Sequence, residues 1–590
     1  MAIDGSNDMP AGNTAQEAGR GAGSRIGFWL GLALFVALLV APAPDSVHRA
    51  VREHFADEIR ADARGALDLP PPAASSHQAF APADTPAFAA ALDRAVASRA
   101  RVLMAAAAVT ALVACWWITV ALPIPVTSLL PLALFPLVGV LPVRDAAVPY
   151  ANPNVFLFLG GFIIALAIER WDLHRRIALH IVLLVGSSRS TVVLGFMVAS
   201  ALLSMWISNT ATTLMMLPIG LAIVSAVADL DDDSSPQARE NFSAALMLGI
   251  AYAASIGGVA TPIGTPPNIA FQGLYGVLCP GATEIGFGLW MIIFVPLVVL
   301  FLPVVWLVLT RLTCRLPRTP RPVGREVLRC KLAQLGPMRR AERRVLTVFV
   351  ATGLLWMTRS VPLGAENYGW SALLEGWLGT EGGGAGLFRA GYISDTTVAL
   401  VMAAMLFVIP AGGRDGARRG RFLMDWATAQ RLPWGILLLF GGGFSIAAAF
   451  GGSGLSYWCG TVFAGVEIGS PLLLVACLCL AMTFLTEITS NTATTQVMLP
   501  ILARVSQTLG IDPLMLMLPA TISASCAFML PVATPPNAIV FGSGCIRMGR
   551  MVRTGIILNL VGVLLVTGTF YLIARPLLGI DAGPHTPPAP

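Results

Sequence analysis

The residues best suited to chemistry in this sequence form a polar motif that occurs twice inside long apolar runs. Ser-Asn-Thr-Ala-Thr-Thr stands at 208–213 and again at 490–495, and each copy is followed by Met-Leu-Pro-Ile. A polar break in an apolar helix leaves main-chain N–H and C=O groups without intrahelical partners. Helix N-termini attract anions, and hydroxyl, amide and carbonyl oxygens suit a hard cation such as Na⁺. The motif therefore predicts a site for a cation and an anion together.

A second motif is also duplicated, in the same order along the chain. Gly-Thr-Pro-Pro-Asn at 264–268 is matched by Ala-Thr-Pro-Pro-Asn at 533–537. Its two prolines remove two N–H donors and break a helix, while Thr and Asn offer polar side chains. The Ser-Asn-Thr copies lie 282 residues apart, and the same offset relates Phe158 and Gly160-Gly161-Phe162 to Phe440 and Gly442-Gly443-Phe444. A single Ser-Asn-Thr is an ordinary helix kink, but its duplication beside a duplicated Pro-Pro-Asn favours a functional interpretation.

The composition requires a membrane around these motifs. The 590 residues are 56% hydrophobic and 12% charged, and the mean hydropathy is +0.75. Many apolar runs reach the roughly 20 residues that a helix needs to cross a bilayer. The net charge of +6 comes from basic loops between apolar runs, so it does not indicate nucleic-acid binding.

The apolar runs predict an all-α polytopic membrane protein with eleven transmembrane helices and two re-entrant hairpins. Runs 190–228 and 470–508 are too long for one crossing and carry Ser-Asn-Thr near their middle, so each is predicted as a hairpin. An odd number of crossings in each half inverts the second half, as in secondary transporters whose binding site lies at the repeat interface. The predicted segments are a tail at 1–24, a first helix at 25–45, a loop at 46–100 that has at most a short helix, a first repeat at 101–312, a loop at 313–343, a second repeat at 344–578 and a tail at 579–590.

The charges of the loops predict the orientation in the cell (inner) membrane. The loop at 313–343 and the stretch 413–431 are rich in arginine, whereas 361–395 carries four acidic residues and one arginine. Basic loops stay in the cytoplasm. The N-terminus and the 313–343 loop are therefore predicted to be cytoplasmic, and the 46–100 loop and the C-terminus to be external.

Several other classes of function lack support in the sequence. The cysteines form no CxxC pair, and all six histidines lie outside the long apolar runs. No Ser/His/Asp, paired-Asp or metal constellation marks an intramembrane hydrolase, so we predict no enzyme, no catalytic residue and no cofactor beyond coupling ions. A transporter-like sensor that signals through the 313–343 loop stays open as an alternative.

The duplicated motifs, with the stretch Ser-Ala-Ser-Cys-Ala-Phe-Met-Leu-Pro-Val at 523–532, resemble the divalent anion:sodium symporter family over 25–45 and about 100–578. The resemblance implies sodium-coupled transport of small dianions, most simply C4-dicarboxylates such as succinate, fumarate and malate. It also implies a homodimer with a rigid scaffold and a transport domain that moves as an elevator. A sodium–sulfate symporter and a cation-independent dicarboxylate exchanger are the alternatives, although an exchanger would place a fixed positive charge where sodium sits, and neither motif pair contains Lys, Arg or His.

The resemblance also implies roles for individual residues. It assigns the first sodium site to Ser204, Ser208, Asn209 and the Gly264 carbonyl, and the second to Thr486, Asn491 and the Ala533 carbonyl. Substrate carboxylates are assigned to Asn209, Thr210, Thr265, Asn491, Thr492, Thr534 and Pro535. Glu487 is an acid at membrane depth and hence a functional candidate; a proton site, a cation contact and a structural acid bonded to the hairpin backbone are all open.

Overall fold

The structure of the protein is a computed structural model, and it describes most of the chain. The described residues are 22–67, 85–186, 188–230, 235–280, 282, 284–316, 325–360, 362–363, 366–367, 369–378, 392–412, 422–463 and 470–580. Most of the predicted tails, at 1–21 and 581–590, lies outside this range, as do parts of the loops at 317–324, 379–391 and 413–421.

The chain forms two compact units, Met1–Ala147 with Ala448–Trp458, and Val148–Ala447 with Cys459–Pro590. The first unit begins with seven helices: α1 (Ala22–Val40), α2 (Asp45–His54), α3 (Ala56–Gly65), α4 (Pro86–Thr119), α5 (Ile124–Thr127), α6 (Leu130–Leu137) and α7 (Val143–Ala147). Helix α1 packs along α4, where the Phe28 and Trp116 rings stack with centroids 5.0 Å apart.

The predicted loop at 46–100 is mostly helical in its described part, which corrects the expectation of at most one short helix. It contains α2, α3 and the first turns of α4. Apolar residues at helical spacing, Val47 and Val51 on α2 and Ile59 and Ala63 on α3, are buried. Arg99 pairs with Glu58 at 2.7 Å and with Asp62 at 3.1 Å. These amphipathic helices are stabilised by packing onto α4, a contact that local composition does not reveal.

The second unit holds the remaining helices and the duplicated motifs. Its first half comprises a 3-10 turn (Val148–Ala151), α8 (Pro153–Arg170), α9 (Leu173–Val185), α10 (Arg189–Ser204), α11 (Asn209–Leu230), α12 (Pro236–Gly258), α13 (Pro266–Leu278) and α14 (Phe287–Leu307). A connecting region carries α15 (Arg325–Gln334), α16 (Arg340–Arg359), an antiparallel strand pair β1 (Pro362–Leu363) and β2 (Glu366–Asn367), α17 (Trp370–Leu378), α18 (Asp395–Val408) and α19 (Trp426–Ala429). In the strand pair, Pro362 is opposite Asn367 and Leu363 is opposite Glu366.

The second half repeats the order of elements of the first. It comprises α20 (Trp434–Ser453) and α21 (Leu455–Phe463), which cross the unit boundary, then α22 (Pro471–Ile488), α23 (Asn491–Thr508), α24 (Leu514–Ala524), α25 (Pro535–Gly542), α26 (Met548–Thr569) and α27 (Arg575–Leu577). Even an irregularity recurs, because a π-helical turn follows α14 at Val308–Thr313 and α26 at Phe570–Ala574. The order of the helices thus follows the sequence repeat, whereas their lengths differ most between α12, with 23 residues, and α24, with 11.

The described helices support a multi-pass membrane protein, but their lengths differ from the eleven predicted spans. Eight helices of the described residues are long and apolar enough to cross a membrane, or nine if the bent pair Ser24–Val40 and Asp45–His54 is one span. Two of these eight, Asn209–Val227 and Pro471–Ile488, belong to the predicted hairpins. Two further parts of the predicted repeats form shorter apolar helices, Ile124–Leu137 and Asp395–Val408. The number of crossings remains a prediction.

Helix α12 lies at the centre of the second unit and leads directly to one duplicated motif. The rest of the protein buries 94% of the most apolar 18-residue stretch of α12. Helix α12 packs along α10. The packing is closest at Gly257, where a Cβ would lie 2.3 Å from the Ala201 carbonyl oxygen. A backbone oxygen cannot move aside as a flexible side chain can, so this crossing requires glycine.

We expect Gly257→Ala to destabilise the protein by about 1–3 kcal/mol, because the added methyl overlaps the α10 backbone. Gly276→Ala on α13 is the matched control, since a Cβ there meets nothing within 4 Å. The midpoint of thermal unfolding in detergent measures both variants. Equal midpoints for the two variants would show that the α10–α12 crossing is looser than described.

Candidate functional site

Each predicted motif lies at a break between two helices of the second unit. The Ser-Asn-Thr copies follow the breaks between α10 and α11 and between α22 and α23. The Pro-Pro-Asn copies follow the breaks between α12 and α13 and between α24 and α25. The predicted interruptions of the runs 190–228 and 470–508 are therefore confirmed, and the N-termini of α11, α13, α23 and α25 begin at the motifs.

The first residue of each Ser-Asn-Thr motif caps the helix that follows. Ser208 Oγ accepts a hydrogen bond from the Ala211 N–H at 3.2 Å, and Ser490 Oγ accepts one from the Ala493 N–H at 3.5 Å. Side-chain caps of this kind fix where a helix begins. Each asparagine is consequently the first residue of its helix, at the end with partial positive charge.

Three of the four groups predicted for the first sodium site come together. Asn209 Oδ1 lies 2.5 Å from Ser204 Oγ, and the same position of the amide lies 3.2 Å from the Ala254 oxygen and 3.3 Å from the Gly264 oxygen. With the amide rotated, its two N–H groups would face Ser204 Oγ and the Gly264 oxygen, while Ser204 Oγ donates to the Ala254 oxygen at 2.6 Å. Such a ring of oxygens can be satisfied by amide hydrogens or by a cation. Ser208 differs from the prediction in that its described hydrogen bond is to its own helix.

Glycine at position 258 allows this cluster to close. A Cβ on Gly258 would lie 2.6 Å from Asn209 Oδ1 and 3.0 Å from the Gly264 oxygen. Any larger residue would therefore separate the Asn209 amide from the carbonyl that it faces. The backbone of the first break approaches the start of α11 only because no side chain intervenes.

The Pro-Pro-Asn motif explains why the Gly264 and Ala533 carbonyls remain available. A helix would satisfy each oxygen with the N–H of the third or fourth residue onward. The third residue is Pro267 or Pro536, which has no N–H. The fourth is Asn268, whose N–H donates to the Thr265 oxygen at 3.1 Å, or Asn537, whose N–H donates to Thr534 Oγ1 at 3.3 Å.

The second predicted sodium set is less closely joined. Thr486 Oγ1 donates to the Thr483 oxygen at 3.0 Å, and Asn491 Oδ1 is buried without a hydrogen-bond partner among the described residues. No hydrogen bond links Thr486, Asn491 and Ala533 in the part of the chain that the structure describes. The unpartnered Asn491 oxygen is nevertheless an acceptor that a cation can use.

The two halves exchange contacts at the motifs. Helix α11 packs against α25, and α13 packs against α23. Helix α11, which starts at Asn209 and Thr210, therefore contacts α25, which starts at Pro535 directly after Thr534. Helix α13, which starts directly after Thr265, contacts α23, which starts at Asn491 and Thr492. The helices that carry the predicted substrate residues therefore form two groups, α11 with α25 and α13 with α23, each built from both halves.

Glu487 bonds to the second Pro-Pro-Asn break rather than to a cationic side chain. Its Oε1 accepts hydrogen bonds from the Phe528 N–H (2.7 Å), the Met529 N–H (2.9 Å) and Asn559 Nδ2 (2.7 Å). Its Oε2 accepts one from the Leu530 N–H at 2.9 Å. The side chain is 2% exposed. Of the three roles left open for this acid, the contacts support the structural one, because the carboxylate satisfies three N–H groups that the break exposes.

The first break uses a neutral bond at the corresponding place. Met205 replaces the acid there, and the Met205 carbonyl oxygen accepts a hydrogen bond from Thr261 Oγ1 at 2.5 Å. Similar breaks thus have different supports. The break of the second half carries a formal negative charge that the break of the first half lacks.

Gln496 is a buried polar residue that pattern analysis does not single out. It lies one turn beyond Thr492 on α23, is 1% exposed, and neither amide atom has a hydrogen-bond partner among the described residues. A Cβ on Gly443 would lie 1.9 Å from its Oε1, so the amide rests on the α20 backbone. The sequence signal is a polar residue where the first repeat has Leu214.

Comparisons with known proteins identify the family of the chain. The model of the sodium:sulfate symporter transmembrane region matches residues 93–579. The chain belongs to the sodium:sulfate symporter family. It is a transporter, not an enzyme.

Characterised relatives cover most of the chain. It is 42% identical over 475 residues to the sodium-dependent dicarboxylate transporter SdcS of Staphylococcus saprophyticus, covering 80% of this chain and 86% of that one. The SdcS of Staphylococcus aureus is also 42% identical, covering 81% and 88%. A solved structure, the Alcanivorax borkumensis YdaH transporter, is 16% identical with a TM-score of 0.46, covering 73% of this chain and 88% of that one.

We expect Glu487→Gln to destabilise the transporter by about 1–3 kcal/mol, because one amide NH₂ would then face N–H donors in the break. Glu53→Gln, which replaces an exposed acid bonded to Tyr457, is the matched control. Thermal unfolding in detergent measures both variants. A Glu487→Gln protein as stable as the control would mean that the carboxylate does not hold the break.

Proposed function

We propose that this member of the sodium:sulfate symporter family is a sodium-coupled symporter of small dianions. Its preferred substrates are C4-dicarboxylates such as succinate, fumarate and malate. The names of the two SdcS relatives, both sodium-dependent dicarboxylate transporters at 42% identity, support this substrate class. Sodium acts as coupling ion and the chain needs no other cofactor.

The observation that carries the proposal is the ring of oxygens around the Asn209 amide. Ser204 Oγ and the Ala254 and Gly264 carbonyl oxygens all lie within 3.3 Å of one position of that amide. Neutral oxygens at such spacing favour a hard cation, and the absence of Lys, Arg and His from both motif pairs leaves the cation as the source of positive charge.

The proposed ligands follow the predicted sets. The first sodium binds Ser204, Ser208, Asn209 and the Gly264 carbonyl, and the second binds Thr486, Asn491 and the Ala533 carbonyl. The substrate carboxylates bind Asn209, Thr210, Thr265, Asn491, Thr492, Thr534 and Pro535. The capped N-termini of α11 and α23 and the packing of α11 on α25 and α13 on α23 support this grouping.

Coupling follows from the same geometry. Without a cation, the cluster offers a dianion no positive charge, because all of its groups are neutral. Two bound sodium ions neutralise the dianion, so the membrane potential would contribute only if a third cation moved with it. One net charge is worth about 2.3 kcal/mol per 100 mV.

The transport movement proposed is that of an elevator. The two repeats are inverted, the protein is a homodimer with scaffold and transport domains, and it lies in the cell (inner) membrane with the N-terminus cytoplasmic and the C-terminus external. The repeated helix order and the arginine-rich loops support this arrangement.

Sulfate is a second candidate substrate, because the matching family model is named for sodium and sulfate. Its tetrahedral dianion would need only one of the two groups of substrate residues. A C4-dicarboxylate has two separated carboxylates and could use both groups, which favours the larger substrate.

Uptake of labelled succinate into proteoliposomes, with and without an inward sodium gradient, tests the proposal. Sulfate, citrate and aspartate serve as competitors. We expect strong sodium dependence and loss of uptake in Asn209→Ala and Asn491→Ala, because each removes an amide from a motif. Asn241→Ala is the matched control, since Asn241 bonds only to Gln237 on an exposed part of α12 in the described structure.

Other outcomes would change the assignment. Sodium-independent succinate uptake would favour an exchanger, and stronger competition by sulfate than by dicarboxylates would favour a sulfate symporter. Binding of succinate without flux would favour a sensor.

A further inference from the structure

The asparagine that ends each Pro-Pro-Asn motif has a buried amide that bonds backward across its own break. Asn268 Nδ2 lies 2.8 Å from the Thr261 oxygen, 3.2 Å from the Gly258 oxygen and 3.3 Å from the Val259 oxygen. Its side chain is fully buried. The Asn268 amide nitrogen therefore lies within hydrogen-bond distance of three carbonyl oxygens, at the end of α12 and in the break that follows it.

The second half contains the same device. Asn537 is also fully buried, and its Nδ2 lies 3.1 Å from both the Ala527 oxygen and the Leu530 oxygen. The two breaks differ in length, because α12 and α13 are separated by 259–265 and α24 and α25 by 525–534. We call this an amide clamp: an asparagine amide that bonds to carbonyl oxygens of its own break. Both halves have the clamp although their breaks differ in length.

The clamp divides the carbonyl oxygens of each break into two classes. The oxygens of 258, 259 and 261 in the first half, and of 527 and 530 in the second, bond to the asparagine amide. The Gly264 and Ala533 oxygens, which the prolines deprive of helix partners, are left over. In the first half, the leftover oxygen is the one that lies 3.3 Å from the Asn209 amide position.

The clamp requires an asparagine amide. Aspartate has nearly the same shape, but it would place a carboxylate oxygen among carbonyl oxygens, which repel it. Each asparagine also has an Oδ1 without a hydrogen-bond partner among the described residues. At both positions, therefore, the side-chain nitrogen makes the hydrogen bonds and the side-chain oxygen makes none among the described residues.

We propose that Asn268 and Asn537 are the positioning residues of the two cation sites. Each amide holds the carbonyls to which it bonds, so that the Gly264 or Ala533 carbonyl points to the cation. The inference rests on the proposed function, because it assumes that sodium binds at these breaks. The asparagines act through the backbone and need not touch the ion or the substrate.

Sodium titrations of Asn268→Asp and Asn537→Asp test the proposal. The sodium concentration that gives half of the sodium-induced rise in melting temperature is measured in detergent without substrate, with choline replacing sodium. The sodium concentration for half-maximal succinate uptake is measured in proteoliposomes. We expect both values to rise at least about fivefold, the effect of losing a net hydrogen bond or more. Asn241→Asp is the control and should leave both values within about twofold.

Double variants identify the site on which each asparagine acts. Asn268 shares the first site with Ser204, so Asn268→Asp with Ser204→Ala should raise the half-saturating sodium concentration by less than the product of the single effects. Asn268→Asp with Thr486→Ala should be closer to multiplicative, because those residues serve different sites. Asn537→Asp should show the opposite preference. If the aspartate variants do not fold, Asn268→Ser and Asn537→Ser, which keep one donor, replace them with smaller shifts in the same direction.

A lower melting temperature with unchanged half-saturating sodium concentrations would overturn the proposal and leave the asparagines a purely structural role. Identical behaviour of the two kinds of double variant would also overturn it. Failure of the proposed function is seen separately in the wild-type protein, as a melting temperature and a succinate uptake that do not respond to sodium.

Discussion

The constraint on which this structure depends is the cost of an unpaired peptide group away from water. Each such group at membrane depth costs several kcal/mol unless a partner is found. Four helix breaks expose such groups in one unit, and the protein satisfies most of them locally. Glu487 accepts the N–H groups of 528–530, Asn537 binds two carbonyls of the same loop, and Ser490 caps α23. The groups left over are the ones available to a ligand.

The two halves solve this problem with different chemistry. The first break rests on a neutral bond from Thr261 to Met205, whereas the second surrounds a carboxylate with four donors. Tyr252 Oη also donates to the Phe528 oxygen at 2.8 Å, which ties α12 to the second break. A repeat can therefore keep its helices and motifs while the charge beside its two sites diverges. Under the proposed function, the two cation sites would therefore lie beside different charges.

The motifs were predictable from sequence because their information is local. Proline and serine mark the helix starts just after Thr265 and at Asn209, and those of their counterparts, and duplication separates them from ordinary kinks. The role of Glu487 was not predictable, since its partners lie 41 to 72 residues away. The helices within 46–100 were missed for a related reason, because Val47, Val51, Ile59 and Ala63 carry a helical period that becomes meaningful only with a surface to pack against. The residue roles and the number of crossings remain predictions.

Under the proposed function, the Asn209 amide has two roles: it bonds to exposed oxygens of the breaks, and it binds the coupling ion. With its nitrogen turned inward, its two N–H groups would donate to Ser204 Oγ and the Gly264 oxygen, while Ser204 Oγ donates to the Ala254 oxygen, so each of these three oxygens has a partner. With its oxygen turned inward the same position becomes a fourth cation ligand. Under the proposed function, binding sodium would exchange one set of partners for the other at little net cost in hydrogen bonds. A cluster that is satisfied in both states can release its ion, which a carrier needs as much as it needs to bind.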